Sequence, residues 1–216
     1  LNTMVEDESG KVYSLRTEAD APFAAQVFKT VIDPFSGKLS YLKSFRGVLK
    51  SGSTVWNANT ETEERIGQVY VLRGKKMEPV DQLAAGDIGA VNKLSNTNTG
   101  DTLCDETHKI KFYDIPFPAP VLTMAISAAK SGEEDKVFQG LSRLAEENPT
   151  LIITKEPTGE TVLAATGDIA ADVTLGKLKN KFGVTATTTL PIIPYRESIR
   201  KKAEARGKHK KQTGGH

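Results

Sequence analysis

Between residues 21 and 113 the apolar and β-branched residues come in short runs, and none keeps the 3.6-residue spacing of a useful amphipathic helix. Turn signals separate the runs: Asp33-Pro34, Ser36-Gly37, Lys50-Ser51-Gly52-Ser53, Arg73-Gly74, Ala85-Gly86-Asp87 and Thr99-Gly100-Asp101. Residues 45–50 and 53–56 read as two strands around a glycine turn. Six to eight short strands of this kind bury their apolar faces without open edges only by closing, which predicts an all-β barrel over residues 20–115. The polar, acidic residues 1–19 read as a connector leading into it.

The pattern changes at Pro116, Pro118 and Pro120, which favour an extended link and mark a domain boundary. A strand follows at 121–126. Ser131-Gly132-Glu133-Glu134 has the form of a capping box and opens a helix with Val137, Phe138, Leu141, Leu144 and Ala145 on one face. Asn148-Pro149 stops it. Strands at 151–154 and 161–164 flank the turn Glu156-Pro157-Thr158-Gly159. A second helix is expected to use Ile169, Val173, Leu178 and Phe182, with Gly176 as an interior weakness, before a last strand at 184–190. The order βαββαβ over residues 118–190 predicts a ferredoxin-like α+β domain. From residue 191 a third α+β element starts with a strand-like Ile192-Ile193-Pro194-Tyr195. Residues 191–216 are too few to bury a core of their own, so they read as the start of a truncated domain. The fold class expected is multi-domain, β followed by α+β.

Composition adds little until charge is placed along the chain. With 38% hydrophobic and 26% charged residues the chain is ordinary for a soluble protein. No apolar run approaches the ~18 residues that span a bilayer. The first residues lack the basic start and apolar core of a signal peptide. A cytoplasmic protein without a membrane partner is expected. The single Cys104 cannot form an internal disulfide and has no metal-spaced neighbours, so it reads as a small buried or half-buried thiol. The net charge of +2 hides a contrast. Residues 195–216 carry eight Lys and Arg against Glu197 and Glu204, a net +6, which leaves −4 for the rest. Such a tail suits an anionic partner, and it also suits a simple solvated face.

Chemistry-bearing motifs are mostly missing. No Gly-x-x-x-x-Gly-Lys-Ser/Thr occurs, and Asn92-Lys93-Leu94-Ser95 fails the guanine-reading Asn-Lys-x-Asp at its last position. His108 stands alone, and His209 and His216 sit in the basic stretch. Glu63-Glu64 and Glu133-Glu134 read as solvated or capping charges. No nucleophile, base and oxyanion site assemble, so no enzyme activity, cofactor or metal is expected in this chain. The terminal stretch offers different chemistry. Lys208, Lys210 and Lys211 can neutralise phosphates, and Gly214 and Gly215 permit close backbone approach. Gln212 and Thr213 can reach 2′-hydroxyls and base edges of paired RNA. A flexible lysine-rich tail would have the same composition, and both readings stand on these residues alone.

Read in order, the segments resemble bacterial elongation factor G, a translational GTPase family. The resemblance rests on Pro22-Phe23, Val27-Phe28-Lys29-Thr30, Asp33-Pro34-Phe35-Ser36-Gly37-Lys38-Leu39, Ser51-Gly52-Ser53-Thr54-Val55 and Glu64-Arg65-Ile66-Gly67. It continues through Ala85-Gly86-Asp87-Ile88, Thr99-Gly100-Asp101-Thr102-Leu103-Cys104 and the run from Leu141 through Arg143 and Glu147 to Pro149, and ends with Tyr195-Arg196-Glu197-Ser198-Ile199 and the stretch from Gly207 to Gly215. It implies a translation-factor β-barrel, a ferredoxin-like third domain and the opening of a fourth. It also implies a preceding GTPase domain that would hold GTP and Mg, and a completed fourth and a fifth domain after His216. By the same resemblance the barrel docks on small-subunit RNA and proteins of the ribosome, and the third domain relays the state of the parent's own GTPase domain. The loop of Lys208, Lys210, Lys211, Gln212, Thr213, Gly214 and Gly215 would meet tRNA–mRNA at the decoding centre. The expected function is that of a ribosome-binding, non-catalytic fragment of a GTP-dependent translocase. Alternatives are a paralogue in ribosome recycling or protection, or a free-standing protein-binding β-barrel scaffold. One departure bears on this choice. Where the family carries Gly-x-Gly-Glu-Leu-His-Leu, this chain reads Ala165-Thr166-Gly167-Asp168-Ile169-Ala170-Ala171, with alanine in place of the first glycine and of the histidine.

Overall fold

The structure is a computed structural model that describes residues 3–33, 37–74, 76–193, 195 and 197–208. Its first half is β throughout. Eight strands, β3 (Ala24–Asp33), β4 (Gly37–Arg46), β6 (Thr54–Asn57), β7 (Thr62–Arg65), β8 (Val69–Arg73), β9 (Lys76–Val80), β11 (Ile88–Asn92) and β12 (Thr102–Cys104), form one sheet in the order β7-β6-β12-β3-β4-β11-β8-β9. All neighbours are antiparallel. The short pair β5 (Leu49–Lys50) and β10 (Gln82–Leu83) brings the two ends of that sheet together. Ser51 N–H donates to Asp81 O at 2.8 Å, and Ser51 Oγ donates to Val80 O at 3.0 Å across the same gap.

Alternation dictates what fills the interior. Val27, Leu42, Leu49, Val55, Ile66, Val69, Leu83, Val91 and Leu103 all point inward and form one continuous core. Each such side chain contributes about 1.5–3 kcal/mol on leaving water, so this cluster outweighs the exposed ion pairs around it, worth about 0–1 kcal/mol each. The chain leaves β4 at Gly47, whose φ is +67°. A Cβ there would lie 2.6 Å from the Ala21 carbonyl oxygen, so only glycine fits the crossing.

Residues 1–19 differ from the connector expected of them. β1 (Thr3–Asp7) and β2 (Val12–Leu15) form a hairpin, and β1 also pairs with β13 (Ile110–Phe112). Val5 and Leu15 close a second small core with Ala24, Cys104, Ile110 and Phe112, flanked by Phe45 and Trp56. Two apolar residues set among acidic ones are enough once β13 supplies the partner edge. Nothing local in the sequence announces that partner.

The second domain contains β14 (Leu122–Ala128), α1 (Glu134–Glu147), β15 (Ile152–Lys155), β16 (Thr161–Ala165), α2 (Asp168–Phe182) and β17 (Ala186–Thr189). The sheet order β15-β16-β14-β17, antiparallel throughout, is the ferredoxin-like arrangement. Both helices pack over a core of Ile126, Val137, Leu141, Leu144, Leu163, Leu178 and Val184.

Two local expectations are corrected here. The α1 N-cap is Glu133 and makes no side-chain capping bond, so Ser131 lies outside the helix and no capping box forms. On α2 the buried residues are Ala171, Thr174 and Leu178, while Ile169 and Val173 are 74% and 52% exposed. Ile169 and Leu178 are nine residues apart, half a turn out of phase at about 100° per residue, and cannot share a face. After β17 the described residues carry no further strand, including the stretch expected to be strand-like from Ile192. Among the described residues no helix is long and apolar enough to cross a membrane.

Candidate nucleic-acid interface

Of the basic loop residues singled out from the sequence, only Lys208 is described, and it is exposed. Lys210, Lys211, Gln212, Thr213, Gly214 and Gly215 lie outside the described residues. The approach to that loop, residues 197–208, is exposed and without regular structure. An ion pair within it, Lys202 to Glu204 at 3.3 Å, joins side chains 88% and 83% exposed, so it holds nothing in place. Arg200, Lys201, Arg206 and Lys208 are set against Glu197 and Glu204, and the segment presents solvated charge rather than a shaped site.

A second surface lies on the outer face of the barrel, and the sequence reading missed it. Because side chains alternate, the interior set of β4 (Ser40, Leu42, Ser44) leaves Tyr41, Lys43 and Phe45 outside the barrel core. Tyr41 and Lys43 lie on the outer face, and Phe45 packs on Phe112, 4.9 Å between ring centroids, in the small hairpin core. The register then lines up one row across five strands: Lys29 opposite Tyr41, Tyr41 opposite Ala90, Ala90 opposite Tyr70, and Tyr70 opposite Pro79. Lys29 Nζ lies 5.6 Å from the Tyr41 ring centroid, and Phe28 meets the same ring edge-on at 6.4 Å. Lys43 Nζ sits 5.6 Å from the Phe45 ring, and Lys43 pairs in register with Ile88, itself 53% exposed. Among the described residues neither lysine has a carboxylate partner. Cations laid over aromatic faces beside a small residue can meet phosphates at the rim and stack a base on the ring. The signal was present in the alternation of Ser40, Leu42 and Ser44 with Tyr41, Lys43 and Phe45, legible once the inward parity is known.

Other candidate chemistry resolves into structure. Glu63 is exposed, but Glu64, expected to be solvated, is 4% exposed. Its carboxylate accepts from the Ser95 N–H at 3.3 Å, from the Asn96 N–H and from Thr97 Oγ1 at 3.0 Å. The correction is one of parity: Glu64 faces inward at the end of the barrel, where a loop rich in unpaired donors needs an acceptor. His108 Nε2 lies 3.4 Å from the Tyr13 hydroxyl. Cys104 is fully buried in the second small core. Among the described residues no group of three or more His, Cys, Asp or Glu side chains is arranged to hold a metal. On the second domain, exposed Ile169 and Val173 border an open groove with Leu144, Asn148 and Lys177. It lies where the Ala165–Ala171 departure falls.

Two family models match consecutive stretches of the chain: elongation factor G domain 2 over residues 22–106, and elongation factor G domain III over residues 117–190. The chain belongs to the elongation factor G family. It is 39% identical to elongation factor G of Thermotoga maritima over 207 residues, covering 95% of this chain and 30% of the relative. It is 40% identical, over the same length and with the same coverage, to elongation factor G of Thermotoga neapolitana. The chain thus spans about 30% of the length of the curated relatives it matches. A crystal structure of a Thermus thermophilus protein shares the fold with a TM-score of 0.68 and 32% identity, over 91% of this chain and 30% of that one. Within the elongation factor G frame the lysine–aromatic face lies on domain 2 and the α2 groove on domain III. The basic segment 197–208 follows both matched stretches.

Proposed function

We propose that this chain is the ribosome-binding, non-hydrolytic part of a translation elongation factor that promotes movement of tRNA and mRNA. The observation that carries this is the similarity to elongation factor G along 95% of the chain. In this reading the barrel docks on small-subunit RNA through the Lys29–Tyr41–Lys43 face. The ferredoxin-like domain passes on the state of a GTPase domain that holds GTP and Mg elsewhere in the parent, and the stretch containing Lys208, Lys211 and Gln212 reaches the tRNA–mRNA duplex. The same architecture could serve ribosome recycling or protection, and the alanines at 165 and 170 beside the exposed Ile169 favour keeping that second reading.

Cosedimentation of the chain with purified ribosomes at increasing salt tests the proposal. Binding should weaken steeply with salt, and the paired change Lys29→Glu with Lys43→Glu should flatten that dependence, removing up to about two units of the log–log slope. Hydrolysis of GTP by the chain alone, or binding indifferent to salt and to both lysines, would overturn it. Translocation and ribosome splitting assayed with the full-length parent separate the two readings.

A further inference from the structure

The end of α1 touches the barrel in a way that neither domain needs for its own fold. Strand β3 runs past its partner β12, whose last paired residue, Thr102, faces Gln26. Loop contacts at Val27 extend that side a little further. Beyond them the outer half of β3 is an edge, bonded to β4 on one side only. The Ile32 N–H on this edge points away from β4 and needs an acceptor. Glu147, the last residue of α1, supplies it: its Oε1 accepts from Ile32 N–H at 2.7 Å.

The same oxygen accepts from Lys181 Nζ at 2.6 Å, and Lys181 also reaches the Ile32 carbonyl at 3.4 Å. Lys181 sits in the last turn of α2. One carboxylate oxygen therefore ties three elements together: the barrel edge, the end of α1 and the end of α2. The Glu147 side chain is only 9% exposed, unlike the solvated pairs elsewhere on this surface. A neighbouring pair, Lys38 to Glu146 at 3.3 Å, joins the opposite strand of the hairpin to α1, and its carboxylate is 41% exposed. Exposed pairs of that kind contribute little, whereas a shielded carboxylate that accepts both a backbone N–H and an ammonium makes two charge-assisted bonds.

We propose that Glu147 is a positioning residue: it caps the open edge of β3 from the neighbouring domain and, held by Lys181, fixes the ferredoxin-like domain on the barrel. Its job is orientation rather than folding. The barrel core and the helix–sheet core are separate clusters, and Glu147 belongs to neither. Because Lys181 lies at the far end of α2 from Ile169 and Val173, the latch also sets where that groove points relative to the barrel.

The test uses the whole chain with spin labels at Lys50→Cys on the barrel and Asp172→Cys on α2, both exposed positions, with buried Cys104 left in place. Double electron–electron resonance should give a single narrow distance distribution for the parent. Glu147→Ala should broaden it, with the docked-to-undocked ratio falling about tenfold or more. Glu147→Gln, which keeps a neutral acceptor for Ile32, and Lys181→Met, which removes only the ammonium, should fall in between. Hydrogen exchange within the β14–β17 sheet should stay as protected as in the parent for all three variants. An unchanged narrow distribution in Glu147→Ala would overturn the proposal. So would loss of sheet protection in Lys181→Met or Glu147→Gln, because the contact would then serve the fold and not the docking. If Glu147→Ala itself fails to fold, the other two variants decide by the same readouts.

Discussion

Glu64 shows how much one residue's environment can differ from what its neighbours suggest. Beside Glu63 it looks like half of a solvated acidic pair, yet it closes the end of the barrel with three hydrogen bonds to the 95–97 loop. Next to it Asn57 Nδ2 donates to Asp101 Oδ2 at 3.0 Å, and the Asn98 N–H reaches the same oxygen at 2.8 Å. The loop is thus held by side-chain acceptors in place of strand pairing. Replacing Glu64 by Ala leaves the buried Thr97 hydroxyl and the part-buried Ser95 and Asn96 N–H groups without their acceptor, and hydrogen bonds to a charged acceptor are worth about 1.5–3 kcal/mol each. Glu64→Ala should lower stability by about 3 kcal/mol or more, read as a fall in the urea midpoint at unchanged slope. Glu64→Gln should fall between, because it keeps an acceptor oxygen but adds a donor. A midpoint within about 0.5 kcal/mol of the parent would mean that solvent serves these donors equally well.

At the scale of elements, what the sequence made legible and what it hid divide by physical cause. The strand runs and their turns between residues 24 and 112 were legible because glycine and proline punctuate them and alternation fills one interior. The βαββαβ order was legible because α1 has a clear apolar stripe in Val137, Leu141 and Leu144. The buried face of α2 was not, since it is made of Ala171, Thr174 and Leu178 and the larger Ile169 and Val173 point outward. The hairpin of β1 and β2 was hidden for a different reason: its partner lies about a hundred residues away in β13. Of the candidate site, the basic composition could be read directly, whereas the Lys29–Tyr41 face needed the β3–β4 register, including its bulge near Val27. The two helix glycines make the same point in energetic form. Gly140 on α1 faces α2, and a Cβ there would come 2.5 Å from Leu178 Cδ1 and 3.4 Å from Phe182 Cγ. Gly176 on α2 is exposed, with nothing within 4 Å of an added Cβ. Gly176→Ala should therefore stabilise by about 0.5–1 kcal/mol through helix propensity alone. Gly140→Ala gains the same propensity but must displace Leu178, and overpacking costs about 1–3 kcal/mol, so its net effect should be destabilising. Thermal unfolding of the two variants should move in opposite directions; a rise for both would show that the α1–α2 contact is loose.

For the whole molecule the informative feature is a small third core, under the N-terminal hairpin, with its own titration behaviour. Bonds from the Ser9 hydroxyl and the Lys11 N–H hold the Asp7 carboxyl below its ordinary range, at the β1–β2 turn. The Thr107 hydroxyl and N–H do the same for Asp105, just after β12. Burial pushes the Cys104 thiol up, inside the core that the hairpin covers. A carboxyl lowered on folding contributes stability above its unfolded pKa and loses it as pH falls through the folded value. A thiol raised on folding contributes stability below its unfolded pKa and loses it as pH rises through the folded one. The hairpin is therefore weakened from both sides, in acid below the ordinary carboxylate range and in alkali above the ordinary thiol range. The only tryptophan, Trp56, packs against this third core with Lys109 Nζ 4.0 Å above its ring, so it reports on the hairpin without any label. Trp56 emission should shift at both extremes before far-ultraviolet circular dichroism shows loss of the main β signal. Cys104→Ala should remove the early alkaline change and leave the acid one, whereas Asp105→Asn should blunt the acid change only. If emission and dichroism moved together at both ends, the hairpin and the barrel would be a single cooperative unit. The pH response would then belong to the whole β domain rather than to the segment at its N-terminus.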